Sequence, residues 1–193
     1  MTQLGNGLSQ ADHNEDALSV REAELAMRRR IGASEHELLI VQSNIASTYA
    51  KLGRHEEALC VRQETFSGTL KLHGEQHSET LIEANSYATS LFRLQRFEES
   101  KSLLRKTMSV ARRILGDSHH LTLQMRANYA AALFSDTDAT LADLRVAVTT
   151  LEDLTRTARR VLGAAHPLAS GIEHNLRKSR AALRARETPS TRA

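Results

Sequence analysis

Tryptophan is absent from this 193-residue sequence, aromatic residues make up only 4% of it, and Cys60 is the single cysteine. One cysteine excludes an internal disulfide and suits a reducing compartment, and we interpret Cys60 as a small packed or surface thiol. Proline is also scarce, with only Pro167 and Pro189, while alanine and leucine recur throughout. This composition favours helices over sheet and predicts an all-α fold.

Long apolar runs and leader features are missing as well. No window approaches the roughly 18 apolar residues that a membrane span needs. Residues 1–7 are polar and lack a basic run that leads into an apolar stretch. We therefore expect a cytoplasmic protein that does not bind membranes.

Neither sign of charge is in large excess, because 26 basic and 23 acidic residues give a net charge of +3. The exception is the C-terminal end, where the only nearby acid is Glu187. The basic residues there are Arg177, Lys178, Arg180, Arg184, Arg186 and Arg192. We interpret them as solvated cations of a last helix, favourable near its C-terminal dipole; an acidic partner or RNA is the alternative.

An internal repeat is the main signal in the sequence. Gly32, Gly74, Gly116 and Gly163 lie in similar surroundings, at spacings of 42, 42 and 47 residues. Residues 32–73 align without gaps onto residues 74–115 with 11 identities. Ordinary residue usage would give roughly two or three identities by chance. The identities include Leu39/Leu81, Ile40/Ile82, Ala46/Ala88, Leu52/Leu94, Arg54/Arg96 and Glu56-Glu57/Glu98-Glu99. A repeat of this length indicates stacked structural units.

The third unit keeps this register until it needs five extra residues near 135–140, where the composition is typical of a turn. Each unit contains two amphipathic helical patterns. The patterns predict a lone helix at about 14–31, hairpins at about 35–72, 77–114 and 119–161, and a last helix at about 167–186. Gly53 is expected to end a helix, Ser34 and Glu37 have capping-box spacing, and Pro167 suits a first turn.

Two antiparallel helices cannot bury their apolar faces alone, whereas stacked neighbours can. We therefore predict a right-handed α-solenoid of antiparallel helix hairpins over residues 14–186, with a disordered N-terminus at 1–13 and a disordered basic tail at 187–193.

Specific residues in this pattern resemble the tetratricopeptide family and its kinesin light chain-like branch. Small residues fall where that family packs helices closely, at Ala46, Ala88, Ala130, Ala58 and Ser100. Its large apolar site falls at Tyr49, Leu91 and Leu133, and the Leu-Gly-x-x-His form recurs at 115–119 and 162–166. The resemblance implies a protein-interaction scaffold or adaptor that is not an enzyme.

Departures from the family limit what the resemblance implies. No long heptad coiled coil resembles the one that precedes the repeats of kinesin light chains, so motor association does not carry over. Glu35 replaces the expected histidine of the first unit. The helix near 14–31 lacks a partner, because residues 1–12 are polar and short. We expect that this helix is left uncovered, as in a fragment, a truncated copy or a self-associating end.

The resemblance places the first helices of successive hairpins along a peptide-binding groove. Asn44, Ser86, Asn128 and Asn175 are equivalent positions, and Asn85 lies beside Ser86. Their amides are predicted to bond a peptide backbone, or else neighbouring helices. The same faces carry two phenylalanines, which we interpret either as apolar anchors for the peptide or as core residues. They also carry several cations, which favour an acidic peptide. The predicted groove residues are Asn44, Lys51, Asn85, Phe92, Arg93, Asn128, Phe134, His174, Asn175 and Lys178.

Signals for chemistry are weak. No metalloprotease, phosphate-loop or nucleophile-elbow motif is present, and neither a metal nor another cofactor is predicted. His77, His119 and His166 recur with the repeat and are interpreted as helix-start residues rather than ligands of one metal. Two alternative functions remain, an RNA-binding helical repeat and a regulatory subunit of an enzyme, although the groove lacks a basic stripe for nucleic acid.

Overall fold

The computed structural model describes residues 1–188, which form nine α-helices and no strand. The helices are α1 Thr2–Gln10, α2 Asn14–Arg30, α3 Glu35–Lys51, α4 His55–His73, α5 Ser78–Arg93, α6 Phe97–Leu115, α7 His120–Ser135, α8 Leu141–Leu162 and α9 Pro167–Glu187. No helix in this part of the chain is long and apolar enough to cross a membrane. The outer bounds of α2, of the three hairpins α3–α4, α5–α6 and α7–α8, and of α9 lie within about two residues of the repeat-based prediction.

The chain divides into two compact units, Met1–Leu94 and Gln95–Ala193. The first contains α1 to α5 and the second contains α6 to α9. Within each unit consecutive helices pack against each other, and α7 also contacts α9. This sequential packing is what the repeat predicts, since each helix buries its apolar stripe against its neighbours.

The N-terminus differs from the prediction. Residues 1–13 were expected to be disordered and α2 to lack a partner, whereas α1 forms and packs on α2. Polar contacts explain this: Lys51 on α3 donates to the Ser9 carbonyl oxygen at 2.9 Å, and Arg21 donates to the Asn6 side chain at 2.8 Å. Because α2 is covered, the expectation of self-association through an uncovered α2 loses its basis.

In the first unit, apolar packing is combined with a buried ion pair. Leu18, Val41 and Ile45 form one core cluster. Arg62 on α4 contacts Glu83 on α5 at 3.4 Å, with side chains only 11% and 13% exposed. Burial lowers the pKa of Arg62, and the neighbouring carboxylate opposes that shift. The pair therefore has to be held by further hydrogen bonds.

In the second unit the core is continuous over α7, α8 and α9. It consists of Leu123, Ala127, Ala130, Leu133, Ala147, Leu151, Leu154, Ala158, Ala169 and Ile172.

The small residues predicted for close packing are buried in both units, since Ala46, Ala88 and Ala130 are 0% exposed and Ala58 and Ser100 are 1% exposed. Their burial confirms that the repeat register identifies helix-packing positions.

The five-residue insertion lies between α7 and α8, as predicted. Thr140 and Asp143 form a capping box that begins α8, and Lys101 on α6 donates to Asp136 at 2.9 Å. Burial alone would lower the pKa of Lys101, but its bonds to Glu98 and Asp136 raise it overall. The same contact lowers the pKa of Asp136.

Helix ends follow the sequence signals. Ser34 and Glu37 form the predicted capping box, and Pro167 lies in the first turn of α9. The recurrent histidines are N-caps: ring Nδ1 atoms of His77, His119 and His166 accept backbone N–H bonds at 3.3, 3.2 and 3.1 Å. The predicted tail at 187–193 begins inside α9, which ends at Glu187, and residues 189–193 lie outside the described part.

Candidate functional site

Helix α3 presents one partly open stripe, with a residue on each successive turn. Its members are Ile40, Asn44, Ser47 and Lys51. Ile40 is 45% exposed although it is a large apolar residue. The Asn44 carbonyl accepts bonds from Arg21 and Thr48, while within residues 1–188 no hydrogen bond uses its side-chain amide. The open stripe therefore offers apolar surface next to an amide.

Helix α5 repeats this stripe one unit later, and it consists of Ile82, Ser86, Thr89 and Arg93. Ile82 is 48% exposed and Arg93 is exposed. Asn85 is only 6% exposed, so the open position in this turn is Ser86. The buried Asn85 does not fit its predicted place on a groove floor. Phe92 is half-buried at the edge of the same face.

A hydrogen-bonded network fixes the distance between α3 and α5. Ser43 on α3 donates to Glu83 on α5 at 2.7 Å. Arg62 on α4 donates to Ser43 at 2.7 Å and to Ser47 at 2.6 Å, and Thr65 adds a bond to Glu83 at 3.2 Å. Because these groups are largely buried, they hold the two stripes in one register.

In the second unit the predicted residues lie on α7 and α9, which contact each other. Asn128 and Asn175 are half-buried, and His174 and Lys178 are exposed. Phe134 packs against the core of this unit, which favours its interpretation as core. No hydrogen bond in the described part of the chain uses the Asn175 amide, so this polar group remains available at the surface.

The three predicted cations differ in availability. The Lys51 amine donates to Ser9 at its carbonyl oxygen and its hydroxyl, at 2.9 and 2.7 Å. That ammonium therefore serves to hold α1 in place. Arg93 and Lys178 are exposed, and neither makes an ion pair within residues 1–188. These two are the cations able to attract an acidic ligand.

Comparison with known proteins agrees with this geometry. Residues 79–142 match the family model for the tetratricopeptide repeat. This part of the chain is therefore similar to tetratricopeptide repeats. No curated protein sequence matches the chain.

Solved structures extend the similarity of the repeats over almost the whole chain. A variant of a Podosopora anserina kinesin light chain-type protein with nearly identical TPR-like repeats has 20% identity and a TM-score of 0.78, covering 96% of this chain and 85% of that one. The structure of the same protein without the variant's substitution has 19% identity and a TM-score of 0.73, covering 97% of this chain and 95% of that one. The structure of BtubC (BKLC) from P. vanneervenii has 15% identity and a TM-score of 0.65, covering 98% of this chain and 82% of that one.

These similarities confirm the predicted resemblance to kinesin light chain-like tetratricopeptide repeats and the all-α fold class of stacked helical hairpins. At such identities they show the fold alone. The right-handed sense of the solenoid and the roles of the groove residues stay predictions.

Sequence reasoning did not single out two residues of the α3 and α5 stripes, Ile40 and Ile82. Ile40 and Ile82 were noted only as identities between units, and the buried residues beside them are Leu39 and Leu81, at 9% and 1% exposure. Helical phase could have separated them, because the buried residues of α3 are Leu39, Val41, Ile45, Ala46 and Thr48. Ile40 lies on the opposite edge of that pattern.

One set of side chains in the first unit could hold a metal ion. His36, His73 and Glu79 place three ligand atoms within 4.8 Å of one another. They come from the start of α3, the end of α4 and the start of α5. Sequence reasoning missed them because the histidines that it weighed as possible metal ligands included neither His36 nor His73, which do not recur with the repeat.

Proposed function

We propose that this chain is a protein-interaction module that binds an extended peptide along the stripes of α3 and α5. Tetratricopeptide repeats support a scaffold role in general, and the exposed pair Ile40 and Ile82 supports this particular face. These two large apolar residues, 45% and 48% exposed, lie at the same repeat position and so place apolar surface at the same point of both stripes, where a partner could contact it.

The chemistry of the stripes indicates the kind of peptide. Ile40 and Ile82 suit apolar side chains. The amide of Asn44 can donate to and accept from a peptide backbone, while Ser86 does the same with its hydroxyl. Arg93 at the end of the α5 stripe favours a carboxylate. We therefore propose a peptide that carries both apolar and acidic residues, bound at about micromolar strength, near −8 kcal/mol.

The second unit carries related groups at Asn128, Asn175 and Lys178, and we propose that it binds peptide in the same way. Replacing both asparagines by alanine is expected to weaken capture by about 1 kcal/mol per lost hydrogen bond. The adaptor role and the acidic ligand are supported by this surface chemistry alone, because motor or cargo functions of similar proteins are not carried over by fold.

The test begins with peptides selected from a random displayed library on the full chain. Dissociation constants of the selected peptides are then measured by calorimetry. Ile40→Ser and Ile82→Ser should each weaken binding roughly fivefold, because each forfeits about 1 kcal/mol of apolar burial. Ile31→Ser is the matched control, since Ile31 is 68% exposed at the end of α2 and lies outside the stripes.

The proposal is supported when the stripe variants lose affinity, the control does not, and all three keep their helical circular dichroism. Equal affinity of wild type and the two stripe variants would show that binding uses another surface. Binding of generic RNA with a steep salt dependence, and of no peptide, would favour the nucleic-acid alternative.

A further inference from the structure

Three helix ends in the first unit bring two imidazoles and a carboxylate to one point. His36 is the second residue of α3, His73 is the last residue of α4 and Glu79 is the second residue of α5. Their side chains are 41%, 23% and 42% exposed. The cluster is therefore accessible from solvent while its members are held by separate helices.

The donor atoms form a nearly equilateral triangle. His36 Nδ1 lies 3.3 Å from His73 Nε2 and 3.4 Å from Glu79 Oε2. His73 Nε2 lies 3.3 Å from the same Glu79 oxygen. All three donors converge, so one centre can be equally distant from each of them.

These edges match tetrahedral zinc. Zn–N and Zn–O bonds of about 2.0–2.1 Å at tetrahedral angles separate the ligand atoms by about 3.3 Å. An octahedral ion with the same bond lengths would bring neighbouring ligand atoms to about 2.9–3.0 Å. Two imidazole nitrogens and one carboxylate oxygen are also a ligand set that zinc accepts, with a fourth position left for water.

His77 braces the triangle rather than joining it. Its ring stacks on His73 with centroids 4.4 Å apart and planes 20° apart. Its Nδ1 accepts the backbone N–H of Glu79 at 3.3 Å, so this nitrogen is already engaged. The N-cap thus fixes the orientation of one ligand and the backbone of another, as supporting residues of metal sites do.

We propose that His36, His73 and Glu79 form a zinc-binding site that ties α3, α4 and α5 together. The metal ion would replace the hydrogen-bonded contact between the two imidazoles. The carboxylate of Glu79 would neutralise part of the positive charge of the ion. Bound zinc would stabilise the folded first unit, because a metal that binds only the folded state shifts the unfolding equilibrium. This site is independent of the proposed peptide stripes.

The test uses the full untagged chain after treatment with a chelator, with Zn²⁺ or Co²⁺ as the probe. Calorimetry should show one Zn²⁺ per chain, and Co²⁺ should give the visible absorption of a tetrahedral site. His36→Gln, His73→Gln and Glu79→Gln should each lose at least about tenfold in Zn²⁺ affinity, since even supporting residues of metal sites contribute that much.

His120→Gln is the matched control. Its ring lies 5.6 Å from that of His166, and within residues 1–188 this pair has no carboxylate close enough to complete a metal site. The control should bind Zn²⁺ like the wild type, and Zn²⁺ should raise the Tm of both.

Absence of Zn²⁺ binding by the wild type would overturn the proposal, as would unchanged affinity in the three ligand variants. If a histidine variant is less helical by circular dichroism, its loss of Zn²⁺ binding could come from unfolding. The proposal is then tested by the Co²⁺ spectrum of the folded Glu79→Gln chain. A tetrahedral spectrum equal to that of the wild type contradicts the proposal, and its loss supports it.

Discussion

At the scale of single residues, the short turns that follow α3 and α5 use the same backbone conformation with different residues. Gly53 has a φ of +75° and Gln95 a φ of +59°. A side chain in this left-handed region costs roughly 1–2 kcal/mol, which glycine avoids. A Cβ added at Gly53 would meet no atom within 4 Å, so the cost there comes from the backbone alone.

We therefore expect opposite effects from exchanging these two residues. Gln95→Gly should raise the free energy of unfolding by about 0.5–1 kcal/mol, because relief of strain exceeds the added entropy of the unfolded chain. Gly53→Ala should lower it by about 1 kcal/mol. Urea unfolding followed by circular dichroism measures both. A loss of stability in Gln95→Gly would contradict this explanation.

Individual site residues could be predicted only in part. Repeat register placed Asn44, Asn128 and Asn175 at equivalent helix positions, because such positions in helical hairpins recur on the same face, and their role in binding stays a prediction. It could not show that Lys51 is engaged by Ser9, or that Asn85 is buried, since both depend on contacts between helices. Sequence reasoning missed the proposed zinc ligands because they converge at three helix ends, and no periodic pattern in the sequence indicates that.

At the scale of helices and loops, the insertion between α7 and α8 depends on one buried contact. The Lys101 and Asp136 side chains are 8% and 11% exposed and lie 2.9 Å apart. Lys101 also contacts Glu98, which is 82% exposed. Asp136 is thus the sheltered partner that holds the loop to α6.

Asp136→Asn should destabilise the chain by about 1–3 kcal/mol near neutral pH, because a charged hydrogen bond is lost. The bond from Lys101 lowers the pKa of folded Asp136 from its ordinary value of 3.8. Its stabilisation is therefore present above that value and is lost as the pH falls through the lower folded pKa. The difference between wild type and variant should shrink accordingly in acid.

Urea unfolding of both proteins at several pH values measures this difference, with Asp138→Asn as the control in the same loop. Asp138 is exposed, and its backbone N–H rather than its carboxylate contacts Asp136. The control should behave like the wild type. A difference between wild type and Asp136→Asn that stays constant down to acid pH would contradict the role assigned to the contact.

Helices α2 to α9 were predictable because each carries an apolar stripe, repeats an earlier pattern or begins at a capping signal. Helix α1 was not, since it contains two glycines and few apolar residues. Its stability comes from tertiary contacts that a local pattern cannot reveal. Gly5 illustrates this, because a Cβ there would lie 3.2 Å from the Arg21 side chain.

At the scale of the whole molecule, each proposed binding surface is formed by residues of a single compact unit. The first unit holds both isoleucine stripes, the network that fixes their register and the proposed zinc site. The second holds Asn128 and Asn175 on contacting helices. We therefore expect that a peptide can bind the first unit through residues of that unit alone, and that zinc stiffens the unit that carries the stripes.

Hydrogen–deuterium exchange of the full chain, with and without a selected peptide, tests peptide binding at this scale most directly. Bound peptide should slow exchange in α3 and α5, around Ile40 to Lys51 and Ile82 to Arg93, while α2 and α4 change little. Protection confined to α2 and α4, with none in α3 or α5, would contradict the assignment of the binding face.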